Sequence, residues 1–314
     1  MKNDNIKTDS KNSILVDRSK LMKISVINPT RKRAKLIATA TDSLINNADY
    51  VSRIEFIFRF DDDDKGSMYE TMQYYDVEIK SITTINHEFR WGHSTYRLFE
   101  GFSETHNAVM KFIIGIRHGY IFINRYNDEQ MHVCTGEYIV LMTDDIELTN
   151  LKGEENKITK QKYPGWDTLI REAEGQHYIL FFKMKNKSRW PVVLPKKFFE
   201  INGRLCPNVL DDYWYDELCK ALPTGTKVVL DWNAVHNCLF RTSREDVTAR
   251  EGRKQFSSHR NKGVEGYELY NEEEMMNINK FLEENPNHKK TSQYHDDAIS
   301  KIPFSKGGAS GRWC

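Results

Sequence analysis

The chain has no excess of charge of either sign, no long apolar run and few cysteines. Its 46 lysines and arginines stand against 45 aspartates and glutamates, a formal net charge of +1 over 314 residues. That balance gives no global attraction to nucleic acid or to an anionic membrane. No stretch reaches the ~18 apolar residues of a spanning helix, so no membrane span is expected. The five cysteines, Cys134, Cys206, Cys219, Cys238 and Cys314, are odd in number, scattered and without a CxxC. This excludes a disulfide framework or a zinc knuckle and points to a reducing, cytoplasmic compartment. Residues Met1 to Lys20 are polar and lack the apolar centre of a secretory signal, and read as a mobile extension. What is present is core material: 39% hydrophobic and 12% aromatic residues, enough for one large domain or two fused ones and too much for wholesale disorder.

The order of elements is β–α–β. Lys23 to Ile27 is a short β-prone run, and Asn28-Pro29-Thr30 is a turn with helix-capping residues. Arg31 to Asn47 places Ile37, Ala40 and Leu44 on one helical face. Arg53 to Phe60 is a second strand that stops at Asp61. Such an order calls for a parallel sheet with ligand chemistry at the carboxyl ends of its strands. Val77 to Thr83 reads as a strand, 84–107 as an inserted loop, and Val109 to Ile114 as a strand. Gly119 to Ile123 continues extended, and Asn124 to Thr135 reads as a short helix. Glu137 to Met142 is a largely apolar strand that ends abruptly at Asp144-Asp145. Residues 148–176 read as a polar connection. His177 to Met184 and Val192 to Leu194 are β-like, Pro195 to Asn202 a helix closed by Gly203, Asp211 to Ala221 a helix, and Lys227 to Leu230 the last strand. A basic stretch at 241–262 precedes a terminal helix over Glu272 to Glu284.

Three acidic groups carry chemistry. Asp61-Asp62-Asp63-Asp64 repel one another, so stability alone does not select them. At a strand end they can accept hydrogen bonds from a base or ribose, or hold a cation; an isolated run of this kind is also explained as a solvated turn. Asp144-Asp145 follows a buried strand, and reads either as a solvated acidic turn or as one or two carboxylates suited to a hard cation bridging a diphosphate. Asp211-Asp212 precedes Tyr213-Trp214-Tyr215, and reads either as a helix cap or as a general base for an acceptor hydroxyl. Arg117-His118-Gly119-Tyr120 sets a glycine among cationic and aromatic groups, and reads either as an ordinary turn or as a place for close approach by a phosphate or sugar. His236 reads either as a metal ligand or as a surface histidine. Trp190, Tyr213 and Trp214 read either as core aromatics or as residues that stack on an acceptor sugar.

Taken in order, these segments resemble the GT-A-fold nucleotide-sugar glycosyltransferases of the family-two, inverting type. The resemblance runs over roughly 22–240, through Ile24 to Arg31, Ile54 to Asp64, Gly119-Tyr120, Asn124, Gly136 to Asp145, Pro191 to Gly203 and Leu210 to Tyr213. It implies an α/β, Rossmann-type, mostly parallel sheet flanked by helices, with a C-terminal helical or irregular extension. It implies that Pro29, Thr30, Arg31 and Arg33 line the nucleotide, that a carboxylate among Asp61, Asp62 and Asp63 meets base or ribose, and that Arg117, Gly119, Tyr120 and Asp144 complete that site. Asp145, helped by Asp144, would bind Mn²⁺ or Mg²⁺, with His236 as a further ligand, and Asp212, beside Asp211, would be the base. The metal motif reads Thr143-Asp144-Asp145 where the family commonly has Asp-X-Asp, and the first acidic cluster runs on through Lys65-Gly66-Ser67.

The expected organisation is a flexible extension over 1–21, a catalytic domain over 22–240 and a basic segment, helix and tail over 241–314. Within the catalytic domain, 22–147 would bind nucleotide and 148–240 would bind acceptor. The expected activity is transfer of a sugar from a nucleoside-diphosphate sugar, UDP-linked by preference, to an acceptor glycan or other hydroxyl, modified DNA included. A metal-dependent phosphoryl- or nucleotidyl-transfer enzyme and a non-catalytic nucleotide-sugar-binding module are the alternatives for the same carboxylates.

Overall fold

A computed structural model describes residues 21–119, 123–149, 152–155, 160–172, 179–184, 191–205, 227–236 and 272–284, with only the backbone of 179–184 and 227–236. The strands are β1 (Ile24–Pro29), β2 (Ile54–Asp61), β3 (Val77–Phe89), β4 (Gly92–Ser103), β5 (Ala108–Gly115), β6 (Tyr138–Leu141), β7 (Ile146–Leu148), β8 (Ile179–Met184), β9 (Val192–Pro195) and β10 (Lys227–His236). The helices are α1 (Ala34–Asn46), α2 (Lys65–Tyr74), α3 (Ile123–Val133), α4 (Trp166–Glu172), α5 (Lys197–Asn202) and α6 (Glu272–Glu284). Among the described residues the strands form one ten-stranded sheet in the order β3-β4-β5-β2-β1-β6-β9-β8-β10-β7.

The centre, β5-β2-β1-β6, is parallel throughout. Its strands are short apolar runs buried along nearly their whole length, as a sheet covered on both faces requires. Two crossover helices build it: α1 joins β1 to β2, and α3 joins β5 to β6. On α1 the face carrying Ile37, Ala40 and Leu44 is buried, as its spacing predicts. This is the Rossmann-type α/β architecture expected for the nucleotide-binding half. The sheet then continues without a break from β6 into β9, so residues of 148–240 share it with those of 22–147.

Several local expectations change. The segment read as a loop at 84–107 is most of a long hairpin, β3 paired antiparallel with β4. In β4 the alternation is regular: Ser94, Tyr96 and Leu98 point in, while His93, Thr95 and Arg97 are exposed. Inward serine and tyrosine weaken the hydrophobic contrast that marks a strand. The connection at 148–176 contains α4, because Trp166 is fully buried and its indole N–H donates to the Leu44 carbonyl (2.8 Å). Thr30 does not cap α1. Lys32 takes a left-handed φ of 54°, the helix begins at Ala34, and Thr30 turns to Asp144 instead. The last strand runs on past Leu230 to His236 through a register shift. The closure of α5 by Gly203 in a left-handed turn is as expected, with φ 65°. The proposed extension over 1–20, the helix at 211–221, the basic stretch at 241–262 and the tail lie outside the described residues.

At the amino end of β2, Glu55 is nearly buried among Ser25 (2.5 Å), Lys111 (2.9 Å) and the Thr135 amide (2.5 Å). Burial alone would raise its carboxyl, but Lys111 and these donors hold it below the usual range. This ion pair pins the base of the sheet opposite the carboxyl-end site.

Candidate functional site

The carboxyl ends of β1, β2 and β6 lie side by side, since β1 pairs in parallel with both neighbours. The turns leaving them carry the residues picked out in the sequence. After β1, Thr30 donates its hydroxyl to Asp144 Oδ2 (2.8 Å) and Arg33 Nη1 donates to Asp144 Oδ1 (2.9 Å). Asp144 is therefore held on both oxygens by a segment more than a hundred residues away in sequence. Burial raises its carboxyl above the ordinary range, Arg33 opposes that, and the neighbouring Asp145 adds to it.

The four aspartates after β2 separate into distinct roles, which removes most of the repulsion expected of them. Arg31 Nη1 donates to Asp61 Oδ2 (2.6 Å) and Asp63 Oδ1 (2.5 Å), and Nη2 donates to Asp63 Oδ2 (2.8 Å). This fork holds the Asp63 carboxyl below its usual range, with Arg117 and Lys32 contributing from further off. Asp64 is structural. It accepts from the Lys32 amide (2.5 Å) and the Ser67 hydroxyl (2.7 Å), which fixes the β1 turn against the start of α2. Asp62 is exposed.

Sequence reasoning missed the layer beneath. Arg59 lies wholly buried in β2 and reaches Asp61 (3.3 Å), Glu129 (2.6 Å) and the Ile116 carbonyl (2.6 Å). Glu129 in turn accepts from Ser94 (2.5 Å) and pairs with His118 Nε2 (2.8 Å). The Arg59 guanidinium also stacks on Tyr126 at 4.7 Å, and the Tyr126 hydroxyl accepts from the His118 and Gly119 amides (2.8 and 3.0 Å). The signal in the sequence is a lone arginine inside Phe56-Ile57-Phe58-Arg59-Phe60, since a charge in a buried strand needs a buried partner. This network joins β2, β4 and α3 and supports the 117–119 segment beside Asp61.

Asp145 is buried at the start of the turn into β7, and Thr143 donates to its Oδ1 (2.7 Å). Strand β10 runs antiparallel to β7 with His236 opposite Ile146, so the backbone of His236 is placed one residue from Asp145. Among the described residues no three His, Cys, Asp or Glu side chains converge as a ready-made cage. A hard cation on a diphosphate does not need one: one or two carboxylates suffice, with phosphate and water oxygens completing the shell. Asp145 is a carboxylate of that kind, while both oxygens of the adjacent Asp144 are engaged by Thr30 and Arg33. Pro29 ends β1 beside these groups. Tyr120, Trp190, Asp211, Asp212, Tyr213 and Trp214 lie outside the described residues.

No protein-family model matches the chain, and no curated protein matches its sequence. Solved structures do align with it. Residues 1–349 of TarS from S. aureus align over 68% of this chain and 60% of that one, at 14% identity and a TM-score of 0.43. The same protein in complex with UDP-GlcNAc aligns over 73% of this chain and 61% of that one, at 15% identity and a TM-score of 0.45. The mannosyltransferase PcManGT from Pyrobaculum calidifontis, in complex with GDP-Man and Mn²⁺, aligns over 86% of this chain and 70% of that one, at 13% identity and a TM-score of 0.48. The chain is thus loosely similar to a mannosyltransferase and to a UDP-GlcNAc-bound protein, and no residue role passes from them to it.

Proposed function

We propose that the chain is a nucleotide-sugar glycosyltransferase that uses a divalent cation and inverts the anomeric centre. The observation that carries this reading is the convergence of Thr30, Arg31 and Arg33 from β1 with Asp61 and Asp63 from β2 and Asp144 from β6 at one end of a parallel sheet. A parallel α/β sheet binds nucleotides at that end. In this reading the arginines would meet phosphate and the carboxylates ribose or base.

Asp145 and Asp144, with His236, would hold Mn²⁺ or Mg²⁺. When bound, the cation supplies charge that offsets what develops on the departing nucleoside diphosphate. Arg31, Arg33 and Arg117 orient the diphosphate. Asp212 takes the proton of the acceptor hydroxyl as its oxygen attacks the anomeric carbon and the bond to the diphosphate breaks. Attack opposite the leaving group gives inversion. Trp190, Tyr213 and Trp214 would stack on the acceptor, a glycan or other hydroxyl-bearing molecule. In domain terms 22–147 binds the donor and 148–240 the acceptor.

Among the described residues no helix is long and apolar enough to cross a membrane. The deciding experiment is a thermal-shift and hydrolysis screen with UDP, UDP-GlcNAc, UDP-glucose and GDP-mannose, with and without Mn²⁺. Metal-dependent stabilisation by a nucleoside diphosphate together with release of free sugar is the expected result. Stabilisation without turnover, or cleavage of a nucleic acid instead, overturns it.

A further inference from the structure

The tip of the β3–β4 hairpin reaches the segment that follows α5, and α3 touches both. Arg90 Nη1 donates to the Asn202 carbonyl at the end of α5 (2.9 Å). The Arg90 chain also lies 3.4 Å from where a Cβ on Gly203 would sit. Beside it, Trp91 Nε1 donates to Asp128 Oδ2 (3.0 Å), and the Leu205 amide donates to Asp128 Oδ1 (3.1 Å). Asp128 and Leu205 are both fully buried. One carboxylate therefore ties helix α3, the hairpin tip and the chain shortly upstream of Asp211-Asp212.

We infer that Asp128 is a positioning residue which, with Trp91, clamps Leu205 and so anchors the chain seven residues ahead of the proposed base in sequence. This inference rests on the glycosyltransferase reading, in which Asp212 must meet the acceptor hydroxyl above the donor.

The chemistry of the clamp is specific. Both groups facing Asp128 are N–H donors, so the carboxylate satisfies both. A neutral acid sets its own O–H against one of them and keeps a single bond. The surrounding charges come from every packed element. Arg204 lies on the segment after α5, and Arg90 at the hairpin tip. Glu129 and Arg125 are on α3, with Arg125 stacked over Trp91 at 5.2 Å. His118 packs edge-on against the same indole at 4.9 Å. Burial pushes the Asp128 carboxyl up to about 8, against the Leu205 amide, the Trp91 indole and Arg204, while Glu129 adds to the push. The clamp is complete only above that range.

The test compares the full chain with Asp128→Asn, which mimics the neutral acid in shape and hydrogen bonding. Hydrogen exchange at the Leu205 amide, corrected for the intrinsic rate, is followed from pH 6.5 to pH 9. Protection in the wild type is expected to rise with pH, and at pH 9 Asp128→Asn should exchange about 3–10-fold faster, the worth of one hydrogen bond. The two proteins should converge at pH 6.5. Hydrolysis of the donor that performs best in the screen should show kcat reduced by up to about 10²-fold at pH 9, the cost of a small misplacement, with KM unchanged. Equal exchange at pH 9 overturns the clamp. Absence of any hydrolysis by the wild type overturns the glycosyltransferase reading and leaves the exchange result to decide the clamp. Trp91→Phe is the second variant. Removing the indole donor should move the rise in Leu205 protection to higher pH, and an unmoved rise removes Trp91 from the clamp.

Discussion

Arg59 and Glu129 meet at 2.6 Å with neither side chain exposed to solvent. The pair sits directly under the turn that leaves β2, because Arg59 also touches Asp61 and Glu129 also touches His118. Removing one partner strands the other charge in the interior. Glu129→Ala is therefore expected to cost about 3–5 kcal/mol of stability, measured by chemical denaturation, whereas replacing both members with leucine should cost much less. A loss within 1 kcal/mol of zero in the single variant would show that water reaches Arg59.

The same pair sets an acid limit. Burial alone would raise the Glu129 carboxyl, but His118 and Arg59 hold it below the ordinary range. A depressed carboxyl stabilises the fold above its unfolded value of ~4.3 and loses that contribution as pH falls through its folded value. Melting temperature should thus stay level near neutrality on this group's account and drop below about pH 4. In Glu129→Gln that acid dependence should be shallower.

Asp145→Ala should abolish Mn²⁺-dependent binding of UDP while leaving the fold intact, since Asp145 sits in the turn after β6 and accepts from the nearby Thr143. Isothermal calorimetry with and without Mn²⁺ reads this directly. Unchanged metal-dependent affinity rejects the assignment.

Asp212→Asn should leave donor affinity unchanged and lower kcat by ~10²–10⁴-fold, the usual contribution of a general base. Steady-state transfer or hydrolysis rates check it, and a wild-type rate moves the base elsewhere.

Gly136 lies where β6 begins beside β1, and a Cβ there would come within 2.5 Å of the Ser25 amide and 2.8 Å of the Ile24 carbonyl carbon. These are backbone atoms and cannot step aside. Gly136→Ala should cost about 1–3 kcal/mol, read as a lower denaturation midpoint, and a neutral result would show that the β1–β6 spacing is soft.

Periodicity made the parallel centre legible. The apolar runs at Ile54–Phe60 and Tyr138–Leu141, and the Ile37, Ala40, Leu44 face, needed no partner to identify them. The candidate site was legible as residue types at strand ends: Thr30 and Arg33 contact Asp144, and Arg31 contacts Asp61 and Asp63. Their pairing was not legible. That Arg33 and Thr30 seize Asp144, or that Asp64 serves the Lys32 turn, depends on registers set by the whole sheet. Val77 to Thr83 was legible as a strand, but the rest of the hairpin was not, because the inward positions of β4 include Ser94 and Tyr96, which answer to Glu129 and His132 rather than to a greasy core. α4 hid inside polar sequence because it is only seven residues long, with Trp166, Leu169 and Ile170 turned into the core.

Strands β6 and β7 are joined only by Met142 to Asp145, and that link is itself a turn, with the Ile146 amide donating to the Thr143 carbonyl. Yet β7 belongs to the far edge of the sheet, beyond β9, β8 and β10, and the Leu148 amide is fastened to Ser43 of α1 (3.0 Å). So short a tether obliges the outer wing to curl back toward the middle. The two aspartates of the turn then act as the knot of a folded ribbon: whatever displaces the wing strand ending in His236 tugs on Asp145, and whatever draws Asp145 inward tightens the wing.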